Sequence, residues 1–138
     1  MPKHIVYLMV LLGVVNYAFS QNTDSNKTLR YHSSIEKLET LNKSTGEWDA
    51  KNYTFKGLVI IDFVKRKIIT YSNKKDADLD FISINSEKVN NTETYTLKCV
   101  DAQNTECNVT LAYLNNHPLF LRIEYDYFKA SYYFDDNQ

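Results

Sequence analysis

Apolar and polar positions alternate along most of the chain after residue 47. Tyr95, Leu97 and Cys99 are separated by Thr96 and Lys98, and Cys107, Val109, Leu111 and Tyr113 by Asn108, Thr110 and Ala112. Leu121, Ile123 and Tyr125 alternate with Arg122 and Glu124. A period of two places each apolar set on one face of a β-strand. Residues 58–63 (LVIIDF) are apolar at both parities, as in a strand covered on both faces. Further strands are predicted at 67–72, 79–85, 94–100, 107–114, 119–126 and 130–134. Residues 34–42 (SIEKLETLN) carry Ile35, Leu38 and Leu41 at a helical spacing of three, but they also fit the first strand of a hairpin turning at 44–46, which is the reading adopted. The sum is an all-β fold of about eight strands, an antiparallel meander forming a small barrel or a curled sheet.

The N-terminus follows a different pattern. A polar start with Lys3 and His4 precedes an unbroken apolar run over 5–15, and Ala18 and Ser20 stand at the small-residue positions of a cleavage site before Gln21. That is the layout of a signal peptide over 1–20, and the run is too short for the roughly 20 residues a membrane helix needs. Residues 21–33 read as a polar, flexible leader and 34–138 as a single β domain. Export predicts a secreted or periplasmic protein with no stable membrane insertion.

An exported chain with two cysteines invites a disulfide. Placing Cys99 opposite Cys107 in a hairpin sets Leu97 against Val109 and Tyr95 against Leu111, so every apolar residue falls on one side. The expectation is a Cys99–Cys107 disulfide. Zinc would need about four ligands, and the chain after residue 20 offers these two cysteines with His32 and His117 at no finger-like spacing. No metal and no cofactor are expected.

Composition narrows the chemistry further. The chain has 138 residues, a formal net charge of −1, and only three glycines. Near-neutral charge gives no pull toward nucleic acid, and too few glycines remain for a phosphate-binding loop. Asn90–Asn91, Asn115–Asn116 and Asp135–Asp136 are left to supply the turns, since Asn and Asp tolerate left-handed backbone. No histidine or carboxylate sits in a catalytic signature: His117 lies in a turn, Arg122 and Glu124 face outward, and Asp62, Glu124 and Asp126 read as surface acids. Sequons at Asn26, Asn42, Asn52, Asn90 and Asn108 are read as chance in an Asn-rich chain. The aromatic residues stand out. Tyr125, Tyr127, Phe128, Tyr132, Tyr133 and Phe134 crowd the C-terminus, and aromatic rings offer large contact area.

Gly46-Glu47-Trp48, ahead of a run of strands, resembles the Gly-x-Trp of lipocalins. That resemblance implies a barrel whose floor the Trp plugs, although an ordinary core place for Trp48 is the reading preferred here. The rhythm as a whole resembles small secreted bacterial all-β proteins, which implies fold and export but no activity. The functional expectation is a non-enzymatic binding module for a small apolar ligand or a protein, through Trp48, Tyr125, Tyr127, Tyr132 and Tyr133. The alternatives are an interaction protein that blocks a secreted enzyme, and a hydrolase.

Overall fold

The computed structural model describes residues 28–72 and 76–136. The signal peptide, the leader up to residue 27 and the sequon at Asn26 lie outside the described residues. Eight strands follow one another: β1 (Thr28–Leu41), β2 (Trp48–Asp62), β3 (Lys67–Tyr71), β4 (Ala77–Val89), β5 (Thr92–Asp101), β6 (Glu106–Leu114), β7 (His117–Glu124) and β8 (Phe128–Phe134). Each pairs antiparallel with the next, and β1 also pairs with β8, so the sheet closes into an up-and-down barrel. Closure leaves the interior faces to form one core. Of the two architectures expected, the barrel is the one found, and the 34–42 segment is strand as far as Leu41.

The turns use the residues the sequence offers. Asn115 (φ 50°) and Asn116 (φ 65°) connect Leu114 to its partner His117, the two left-handed residues that a tight hairpin requires. Asn90 (φ 54°) opens the equivalent turn between Val89 and Thr92. The β1–β2 turn is longer, and there Asn42 accepts the N–H groups of Ser44 and Thr45 on its side chain while Gly46 takes φ +73°. Asp135 instead runs alongside β1, its N–H donating to the carbonyl of His32.

Strand boundaries differ from the sequence reading in one informative place. Residues 28–33, read as the end of a leader, form the first half of β1, because Leu29, Tyr31 and Ser33 alternate inward against the core. The register then shifts: Ser33 faces Phe134 on β8 but Ile35 already faces Tyr133, which leaves Ser34 as an extra residue. Such a bulge changes which parity points inward. Beyond it Glu36, only 2% exposed, and Leu38 face the interior, and Ile35 is turned outward. On the other side of β1, Ser33 is opposite Gly57, where an added Cβ would lie 2.5 Å from the Ser33 hydroxyl and 3.1 Å from the carbonyl of Tyr71. Only glycine fits that approach.

The end of the barrel bounded by the β2–β3, β4–β5 and β6–β7 turns, here the lower end, is filled with rings. Tyr31 packs on Phe134 at 4.9 Å and on Tyr113 at 6.3 Å between centroids, and Tyr113 meets Tyr95 at 5.8 Å. The hydroxyls of Tyr31 and Tyr113 are hydrogen-bonded at 2.7 Å, so these buried phenols keep a polar partner. Burial holds both above the usual tyrosine range. Midway up, Leu97, Val109, Leu111, Leu121 and Ile123 are all nearly or fully buried.

Three expectations require correction. The β5–β6 register is the one anticipated, with Cys99 opposite Cys107, Leu97 opposite Val109 and Tyr95 opposite Leu111. The disulfide, however, is not formed: both cysteines are buried free thiols. They face each other as a hydrogen-bonded pair in the core, and that bond together with burial pushes the Cys99 thiol up. Trp48 is neither a barrel floor nor a core residue. It begins β2 opposite Leu41, beyond the reach of the short β3, and is 38% exposed on the outer surface with the Lys129 ammonium 4.2 Å from its ring centroid. The 58–63 run is also covered less than its composition suggested. Val59 and Ile61 are buried inside, whereas Leu58 and Ile60 are half-buried on the outside of the barrel.

Candidate ligand cavity

The upper end is hollow. A cavity of about 390 Å³ opens among the β3–β4, β5–β6 and β7–β8 connections, within the range of small-molecule sites. Its walls follow from strand alternation. β1 contributes Glu36 and Leu38 after the bulge, β4 contributes Ala77 and Leu79, and β8 contributes Ala130 and Tyr132. The space exists because several of these inward positions carry small side chains, where the lower end carries tyrosine and phenylalanine. There a pocket of about 10 Å³ lies between Ile61, Phe63, Ile84, Tyr95, Leu97, Leu111 and Tyr113.

The rim is built by three loops. In the β5–β6 connection Asp101 accepts the N–H groups of Gln103 (3.0 Å) and Thr105 (2.9 Å) on one carboxylate oxygen and the Tyr125 hydroxyl (3.0 Å) on the other. One acid thus shapes the loop and pins a ring of the opposite wall. Burial, the neighbouring Cys107 and the bond to Asp101 together push the Tyr125 phenol above its ordinary value. Between β7 and β8 the Tyr125 N–H donates to the Phe128 carbonyl, and this tight turn presents Tyr127, 51% exposed, at the mouth. Asp76, just before β4, accepts the N–H of Ser72, and Asp78 is ion-paired with Lys67 at 3.0 Å. Hydrogen bonds from the Lys67 ammonium to Asp78 and Asp80 raise its pKa.

Deeper in, the Tyr132 hydroxyl lies 3.4 Å from the Thr70 hydroxyl, which in turn accepts the N–H of Ala77. Burial raises the Tyr132 pKa, and the charge of Glu36 adds to it. Among the described residues the lining includes four carboxylates (Glu36, Asp76, Asp78 and Asp101) and no lysine, arginine or histidine. The remainder is mainly aliphatic and aromatic.

Of the five contact residues expected from the sequence, Tyr125, Tyr127 and Tyr132 come together around this cavity. Tyr133 lies on the outer face against Phe120, 5.9 Å between centroids, and Trp48 is outside on β2. His32 and His117 are exposed toward the lower end, away from the cavity, and Asp62 accepts the Lys65 N–H in the β2–β3 turn. Among the described residues no group of three His, Cys, Asp or Glu side chains is arranged to hold a metal ion. Glu36, Leu38 and Asp101 escaped the sequence reading. For Glu36 the only signal was its parity, which an unforeseen bulge reversed. For Asp101 it was the spacing to Gln103 and Thr105, which suits a side chain that caps its own loop.

Comparison with protein-family models, with curated proteins and with solved structures gives no match.

Proposed function

We propose that this chain is an exported, non-enzymatic binding module whose ligand is a small, largely apolar molecule held in the upper cavity. The observation that carries this reading is the asymmetry of the barrel: a cavity of about 390 Å³ at one end, against a pocket of about 10 Å³ among the rings of the other. Leu38, Leu79, Ile123 and Ala130 give an apolar interior, and the tyrosine rings add stacking faces. The rigid, closed sheet preorganises that space, so little ordering is needed on binding.

A neutral fluorescent naphthylamine provides the test. It is expected to bind one per barrel with enhanced emission, and Ala130→Phe, which places a ring in the cavity, is expected to abolish binding while the native β circular-dichroism spectrum is kept. Absence of binding to the unaltered protein, or equal binding to a folded Ala130→Phe variant, would refute the proposal.

A protein partner is the second reading. It is favoured by Trp48 and Tyr127, large rings that are 38% and 51% exposed. It predicts that Trp48→Ala, at a ring outside the cavity, weakens capture of the partner without changing naphthylamine binding.

A further inference from the structure

We infer that the start of β2 is a self-association edge, where residues 48–52 pair antiparallel with the same segment of a second copy of this chain. The inference does not depend on the cavity. It begins with the shortness of β3. β2 has 15 residues and β3 only 5, and the two are paired over 58–62 of β2 alone. Among the described residues, 48–52 are paired on one side only, with 37–41 of β1, and all five are exposed. A closed barrel normally leaves no strand edge. Here a row of backbone donors and acceptors stays open on the side where β3 has ended. The link from β3 to β4 cannot cover it. That link is tied at Ser72 and Asp76, which share a 3.0 Å hydrogen bond, and the three residues between them reach roughly 7 Å whatever their path. Asn52 lies six positions before Leu58, the partner of Tyr71, which is about 20 Å along the strand.

Charge selects a second copy as the occupant. Lysine on a free edge normally repels an incoming strand. Asp49 and Lys51 share one face of β2, and neither has an ion-pair partner among the described residues. Pairing two copies about Ala50 sets Asp49 opposite Lys51 of the partner subunit, twice over by symmetry, with Trp48 opposite Asn52 of the partner subunit and the small Ala50 at the centre. Centring the pair on Asp49 would instead oppose two carboxylates, and centring it on Lys51 two ammonium groups. Like charges directly opposite are destabilising, so the edge complements itself in one local register. A two-fold contact of this kind closes at two copies.

Sedimentation equilibrium of the purified chain is expected to show a reversible monomer–dimer equilibrium that weakens as salt is raised, because exposed ion pairs are screened. Asp49→Lys and Lys51→Glu each turn both attractions into repulsions, and each is expected to weaken the dimer at least about tenfold. Mixing the two variants sets a basic edge against an acidic one, so the mixture is expected to form a heterodimer although neither variant pairs well with itself. Both positions are exposed, and the concentration dependence of the unaltered chain needs no variant. Hydrogen exchange locates the contact: amides within 48–52 are expected to gain protection as the dimer forms. A chain that stays monomeric up to millimolar concentration would overturn the inference. A dimer of unchanged affinity in both single variants would move the contact off this edge and overturn it as well. So would protection of every amide of 48–52 in the monomer, since another segment of the chain would then occupy the edge.

Discussion

The two ends of this barrel are made from the same strands and the same alternation, yet one is packed and the other hollow. At the lower end the inward positions carry Tyr31, Tyr95, Tyr113 and Phe134, whose rings interlock and leave about 10 Å³. At the upper end they carry Ala77, Ala130 and, past the bulge, Glu36 and Leu38, which leaves about 390 Å³. An inward-facing pattern of period two is common to both, so it specifies a barrel without specifying a cavity. The size of the inward side chains decides that. Rings pack the lower end, and the upper end keeps an open volume.

The contrast makes quantitative predictions. The largest effect is expected in the packed part: Leu97→Ala, at a position 2% exposed, should cost about 2–5 kcal/mol, because the surrounding rings cannot collapse into the hole. Urea denaturation measures it, and a cost below about 1 kcal/mol would mean that this end is not tightly packed.

Alkaline titration comes next. Tyr31, Tyr113, Tyr125 and Tyr132 all have their pKa raised in the fold, burial being the main cause. Such groups stabilise the fold fully below the unfolded value near 10, and that contribution is lost as the pH climbs through the higher folded values. Stability should therefore be insensitive to these groups at neutral pH and fall above about pH 10, with part of the tyrosinate absorbance appearing only as the barrel unfolds. If every tyrosine ionised near pH 10 in a chain that remained folded, the packed end would have to be open to water.

A smaller effect, about 1 kcal/mol, is expected for Tyr31→Phe, which removes the 2.7 Å hydroxyl bond and leaves the Tyr113 hydroxyl in need of a partner. The smallest is Leu38→Ala, which should cost less than about 1 kcal/mol, since Leu38 already borders open space and leaves no new sealed void. Equal losses for Leu97→Ala and Leu38→Ala would erase the distinction between the two ends.

Much of the barrel was legible in the chain. The β5–β6 hairpin could be aligned residue by residue, because only one register gathers Tyr95, Leu97, Cys99, Cys107, Val109 and Leu111 on one side. The Asn-Asn turns were readable for a similarly local reason. What was not legible depends on neighbours distant in sequence. The first half of β1 looks polar because Arg30, His32 and Ser34 face outward, and its inward set includes Ser33, whose burial reflects its contact with Gly57. Trp48 looked like a core residue by composition, but the brevity of β3 leaves the start of β2 bordered by β1 alone. The cysteines were placed correctly as partners, and position alone did not join them. For the cavity, sequence singled out Tyr125, Tyr127 and Tyr132 as contact residues but could not distinguish them from Tyr133, which sits one residue from Tyr132 and on the opposite face.

The extra residue at Ser34 puts the positions that follow it on β1 out of step with those before it when they are counted along the chain. A chain lacking Ser34 and keeping the same partners would run Ser33 inward, Ile35 outward opposite Tyr133 and Glu36 inward opposite Tyr132, in unbroken alternation. The ladder to β8 therefore dictates which side chains of β1 enter the chamber, and the insertion is the local adjustment by which this sequence conforms to it.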